Sequence, residues 1–356
     1  MKKNQLWIIG FVSLAIGLVA ITNGQVDHPF AAKADADVLR IYNWEDYIYE
    51  AESAEDEPSI VDQFIDYMDG KGRTIEVVYD TFATNEDMYN IIKSGKETYD
   101  LIAPSDYMIQ RMIRENMLTK FTYDIGTDTY TNIPNYSTYA SRYLQDIFAE
   151  SGWSEYSVGY MWGTMGLIYN PETVAHADTY TWDVLWDAAY KNKISIKDSM
   201  RDAYLVAIMH VYKDELNTLA TSHQASSITD AAYNAALVDI INRADADTIA
   251  LVGEALKTLK GNIYGLEVDS GKNDIVTGKI AMNTAWSGDA VYSMDTAEEE
   301  DGVELFYSIP EEGSNIWFDG WVMPTGANVS LAEEFLDFIS NPDIAALNME
   351  YIGYTS

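Results

Sequence analysis

Cysteine is absent from the 356 residues, which excludes disulfides, thiolate catalysis, cysteine-based metal sites and a lipid-modified cysteine. Histidine is scarce. His28, His176, His210 and His223 form no HxH or HxxxH pair, so no histidine-based metal site is expected. Basic residues are few: 22 Lys and Arg stand against 57 Asp and Glu, for a formal net charge of −35. Nucleic acid is therefore not an expected partner, because binding it needs a basic face that displaces counterions. GxSxG, GxGxxG and GxxxxGK[ST] patterns are also missing, so the chain shows no nucleophile elbow or phosphate-binding loop and no cofactor is expected. Paired carboxylates keep an extracellular hydrolase open as an alternative.

What is present is a long, apolar, strongly acidic and aromatic chain. Hydrophobic residues make up 47%, enough for a sizeable core, and 356 residues exceed one ordinary core and suggest two lobes. Aromatics reach 13%, with 26 Tyr and 9 Trp. Lys2 and Lys3 precede an apolar run from Leu6 to Ile21, the pattern of an export signal or a retained N-terminal anchor over residues 1–35. Either form places the rest of the chain outside the cytoplasmic membrane.

After this segment, short apolar runs alternate with helical patterns. Strands are predicted at Val38–Tyr42, Thr74–Tyr79 and Tyr99–Ala103. Between them lie a helix opened by Pro58 and stopped by Gly70, and a helix capped by Asn85. A third helix begins at Ser105. The order β-α-β-α-β-α argues for an α/β lobe with a mostly parallel sheet. A second lobe is expected from the runs at Gly166–Asn170, Lys193–Lys197 and Lys279–Thr284, with a helical stretch polar on its outside over Ile228–Leu259. The acidic clusters Glu52–Glu57 and Glu298–Asp301 read as exposed loops. The expected division is lobe 1 over 36–158, lobe 2 over 159–316, and a return to lobe 1 over 317–356.

Ligands of such sheets bind beyond the carboxyl ends of the strands. Those ends carry rings and carboxylates: Trp44, Asp46 and Tyr47; Ser105 and Tyr107; Asp202; Trp286 and Asp289; Trp317 and Asp319. Rings cover methylenes and attract ammonium groups, by about 0.5–2 kcal/mol each. Carboxylates add charge-assisted hydrogen bonds. The recurring pair suits a small organic polycation, probed by walls and anions at matched spacing. A sugar, an amino acid or a metal on the same scaffold remains an alternative solute.

Several segments carry a resemblance: Ile41-Tyr42-Asn43-Trp44-Glu45-Asp46-Tyr47, Thr84-Asn85-Glu86-Asp87-Met88-Tyr89, Tyr99-Asp100-Leu101-Ile102-Ala103-Pro104-Ser105, Tyr160-Met161-Trp162-Gly163-Thr164, Ile316-Trp317-Phe318-Asp319 and Ile352-Gly353-Tyr354. Across nearly all of the chain after the signal they resemble the polyamine-binding (spermidine/putrescine) substrate-binding proteins of ABC transporters. The resemblance implies a two-lobed, hinged α/β fold of the type II periplasmic-binding-protein kind, with mostly parallel sheets and helices on both faces. It implies a polyamine ligand, the membrane permease subunits of an ABC importer as partners, a monomer, and no enzymatic activity. By position, Trp44 and Tyr47 line one wall with Asp46 near an amine, Ser105 and Tyr107 follow them, Asp202 supplies a carboxylate, Trp286 is the central ring, and Trp317 pairs with Asp319. Asp289, three residues after Trp286, matches putrescine binders, and the choice between Asp198 and Ser199 at a further family position stays open. Family members continue beyond the position of Ser356, so the resemblance also implies a truncated C-terminal segment.

Overall fold

The computed structural model describes residues 37–356 except 52, 54 and 55, and gives no side-chain placement for 300 and 301. The export signal or anchor expected over residues 1–35 lies outside the described residues.

Lobe 1 is built on three strands, β1 (Asp37–Trp44), β2 (Ile75–Phe82) and β3 (Leu101–Ile102), all parallel, with β1 in the middle. Helices α1 (Ile60–Gly70), α2 (Asn85–Ser94) and α3 (Asp106–Arg114) connect and cover them. The two-residue side-chain period of a strand explains the layering. Leu39 and Ile41 of β1 face one way and pack with Phe64 and Met68 of α1. Tyr42 faces the other way and packs with Met88, Met108 and Met112 of α2 and α3. A strand buried on both faces reads as a nearly continuous apolar run, as Val38–Tyr42 does apart from the exposed Arg40.

Two long strands carry the chain between lobes. β4 (Ser157–Tyr169) pairs antiparallel over its first half with the strand Ile316–Pro324, and over its second half with Met282–Trp286 and Phe306–Ser308. The expected boundary at 158/159 thus falls inside β4. In lobe 2, β5 (Ile194–Lys197) lies between β6 (Gly265–Glu267) and β7 (Met282–Trp286), parallel to both. β8 (Phe306–Ser308) and β9 (Ile316–Pro324) complete the path, and β9 also pairs with β3. Met165, Leu167 and Tyr169 of β4 pack in one core layer with α4 (Met200–Val211), through Leu205 and Met209. Ile168 packs in the other with Ala290 of α5 (Ser287–Asp301).

Several local expectations are corrected. Thr84, not Asn85, caps α2: its side chain accepts from the Asp87 N–H. Asn85 is buried and exchanges hydrogen bonds with Ser105 instead. α1 starts at Ile60 behind a Ser59 cap, with Pro58 outside it. It runs through Gly70, and Gly72, at φ +76°, provides the left-handed turn that glycine tolerates. The cluster Glu298–Asp301 is the last turn of α5 rather than a loop. The stretch over 228–259 is two helices, Asp230–Ile241 and Ala246–Lys260, and the first is not polar outside, since Val238 is 56% exposed.

Candidate ligand-binding site

A cavity of about 860 Å³ lies between the two lobes, and all ten residues singled out in the sequence line it. Lobe 1 contributes the turn after β1, the start of α2 and the start of α3. Lobe 2 contributes the start of α4, the loop after β6, and the β7–α5 junction. Ten Asp and Glu line the cavity against Arg201 and Lys272, so it is a strongly anionic space.

Rings form its walls. Trp44 ends β1, donates its indole N–H to Ala103 O at 2.8 Å and leans on Phe82 at 4.6 Å. Trp286 ends β7 and packs against the cores of both lobes. Its indole N–H donates to Asp202 Oδ2 at 3.1 Å, which fixes ring and carboxylate together. Trp317 sits against Gly163, where a Cβ would come within 2.6 Å of the ring. Only glycine lets the indole lie against β4 at that point. Tyr107 donates to Glu86 Oε1 at 3.1 Å.

Asp319 occupies an irregularity in β9, where the pairing with β4 shifts register between Phe318 and Gly320. Such bulges re-aim side chains. Its Oδ2 accepts from Tyr47 O–H at 2.9 Å, and its Oδ1 is buried and accepts no hydrogen bond. Burial raises its pKa to about 7. Asp106, in the first turn of α3, is pushed by burial to about 6. Burial also raises Asp202. These three carboxylates repel one another, and none forms an ion pair among the described residues.

Two predicted anions are placed differently. Asp289 Oδ2 accepts from the ammonium of Lys197 at 2.8 Å, and its Oδ1 accepts from Tyr354 O–H at 2.8 Å. Asp46, at φ +49° and largely exposed, reaches Lys272 of lobe 2 at 3.3 Å. Ser105 carries no capping bond to its helix and holds Asn85 instead. Sequence reasoning did not single out Lys197, Asp106, Arg201, Lys272 or Tyr354 as site residues. Tyr354 lies within a quoted segment and Asp106 between the singled-out Ser105 and Tyr107, so their positions could have been found. Tyr354 T-stacks on Tyr47 at 5.4 Å and on Trp317 at 5.4 Å, and it packs against Gly288, where any Cβ would meet the ring. Nothing in the run Ile194-Ser195-Ile196-Lys197 marks its lysine as buried.

A ring-walled, anionic crevice between two α/β lobes defines a protein that captures a small solute. The chain belongs to the bacterial extracellular solute-binding protein family, whose sequence profile matches residues 28–356. It is a substrate-binding protein and not an enzyme, so the hydrolase alternative falls away. It is 27% identical over 356 residues to the spermidine/putrescine-binding periplasmic protein of Salmonella typhimurium, covering 99% of this chain and 84% of that one. It is 25% identical to a putrescine-binding periplasmic protein of Escherichia coli, with coverage of 99% and 84%. Among solved structures, a candidate spermidine/putrescine ABC transporter protein from Listeria monocytogenes superposes with a TM-score of 0.69 at 30% identity, covering 90% of this chain and 83% of that one.

Proposed function

We propose that this chain is the extracytoplasmic receptor of an ABC importer and that its cavity takes a linear polyamine such as putrescine or spermidine. The observation that carries the reading is the trio Asp106, Asp202 and Asp319. Asp202 and Asp319 are buried and Asp106 half-buried; none forms an ion pair among the described residues, although Arg201 lies near enough to favour the ionised forms of Asp106 and Asp202, and all three line the cavity with Trp286 and Trp317. Burying carboxylates that close together is costly unless a cation arrives. An ammonium supplies that charge and keeps several N–H donors to share among the three. The methylene spacer then lies against the indole faces, whose quadrupole favours the cation.

The division into lobes over 36–158, 159–316 and 317–356 belongs to the same reading. β4 and β9 cross between the lobes and are the elements about which closure would turn. The closed form is the one that permease subunits would distinguish. Lys272–Asp46 and Arg201 over Tyr107, 5.3 Å from its centroid, are contacts between the lobes that closure would tighten.

The test is a tryptophan-fluorescence titration with putrescine, spermidine and the neutral butane-1,4-diol. Saturable quenching or shift by an amine and none by the diol is expected. Equal responses to the diol and the amines would remove the charge-based reading.

A further inference from the structure

Lys197 is the fully buried cation of lobe 2. Its side chain is 1% exposed, and its ammonium donates to Asp289 Oδ2 at 2.8 Å and to Val268 O at 2.6 Å and lies 3.1 Å from Glu267 Oε1. The same nitrogen sits 4.2 Å from the centroid of the Trp286 ring. It therefore has everything expected of a ligand ammonium: two carboxylates, a carbonyl and an aromatic face. The arrangement is rigid. Glu267 is fixed by the Gly271 N–H at 2.8 Å and by Asn283 Nδ2 at 3.0 Å, and Asp289 by Tyr354. Burial alone would push the lysine's pKa down, but Asp289 and Glu267 more than offset it, so the group stays charged.

We propose that Lys197 is a resident ammonium that fills the Asp289 station of the cavity, so that one amino group of the ligand is read by Asp106, Asp202 and Asp319 and a second amino group adds little. This rests on the polyamine reading and deepens it. Lys197 is a specificity-determining residue: it sets how many charges the pocket counts, without touching the ligand. Asp289 then acts as its counter-ion.

The experiment is calorimetry of the whole chain with putrescine and with the monoamine n-butylamine. In the wild type, the two affinities are expected to differ by less than about tenfold. Lys197→Met frees Asp289 and Glu267 to accept an ammonium, and the preference for putrescine is expected to widen by tenfold or more. Removing a buried cation from two carboxylates threatens folding. The double variant Lys197→Met/Glu267→Gln, which removes one charge of each sign, is therefore measured alongside, and a cooperative melt shows which variant is folded. A wild-type preference for the diamine above about hundredfold overturns the proposal while leaving the polyamine reading intact. So does an unchanged ratio in a folded variant. Failure of the folded wild type to bind either amine removes both.

Discussion

Asp319 and Asp289 line the same cavity, are almost equally buried, and each accepts a hydroxyl from a tyrosine at 2.8–2.9 Å. They differ in one neighbour. Asp289 has the Lys197 ammonium, whereas Asp319 has the hydroxyls of Tyr47 and Ser105 and the other carboxylates, and no cation within ion-pair distance. The first is a settled ion pair inside lobe 2. The second is an acid whose proton is held by burial up to about pH 7 and whose remaining oxygen has no partner. The lesson is that burial does not assign a role to a carboxylate in such a crevice. The identity of the group that neutralises it does. On the proposed reading, an anion already neutralised shapes the pocket, and one left waiting takes the ligand.

The largest effect on that comparison should come from Trp286, the ring that holds Asp202 and faces Lys197. Trp286→Ala removes an indole that packs on both cores, holds Asp202 and faces Lys197. Polyamine affinity should fall by roughly hundredfold, about 2–3 kcal/mol, as lost stacking and cation–π attraction. Isothermal titration checks it, with the thermal midpoint also expected to drop.

Asp319→Asn should come next. It replaces a charge-assisted contact with a neutral one, worth roughly 1.5–3 kcal/mol, so amine affinity should fall by ten- to hundredfold while binding of a neutral analogue changes little. Equal losses for charged and neutral ligands would make Asp319 a shaping residue like Asp289.

The comparison also predicts a pH dependence. A folded-state pKa of about 7, above the ordinary carboxylate value, means that the empty protein holds a proton the unfolded chain has lost. Stability of the empty protein should therefore fall as pH rises from about 4 to about 7, and flatten above. Ligand binding has the opposite sign. The ammonium needs the ionised carboxylates, so affinity should rise over about pH 5 to about pH 8. Binding should release protons in the lower half of that range. Denaturant titrations and affinity measurements across these pH values test both slopes.

Much of this site was legible because strand ends are where sequence pattern and chemistry coincide. β1 ends in Asn43-Trp44 and β7 in Trp286, so the strand reading brought these two rings to the site, whereas no strand was predicted over β9, which carries Trp317 and Asp319, and Tyr354 was not singled out. What was not legible depends on three-dimensional partners. Asn85 looks like a helix cap until Ser105 is seen to claim its amide. Lys197 at the end of β5 looks like a solvated strand end until Glu267 and Asp289, 70 and 92 residues further on, are found around it. The irregularity that turns Asp319 leaves no trace in local composition.

Smaller effects sharpen the same contrast. Tyr47→Phe removes the one hydroxyl that donates to Asp319 Oδ2 and should cost about 1 kcal/mol of affinity, roughly fivefold, while moving the pH midpoint of binding upward. Asp46→Asn breaks an exposed pair with Lys272, worth about 0–1 kcal/mol, and should change polyamine affinity less than about fivefold.

On the proposed reading a ligand cation completes a set of largely buried carboxylates that make no ion pair of their own among the described residues. Calorimetry with putrescine near pH 6, repeated in buffers of different ionisation enthalpy, tests it most directly. The account predicts binding heats that vary with the buffer because protons leave Asp319 and Asp106 as the amine enters, and a loss of most of that variation in Asp319→Asn. Putrescine binding with no buffer dependence, in protein that melts cooperatively, would contradict it.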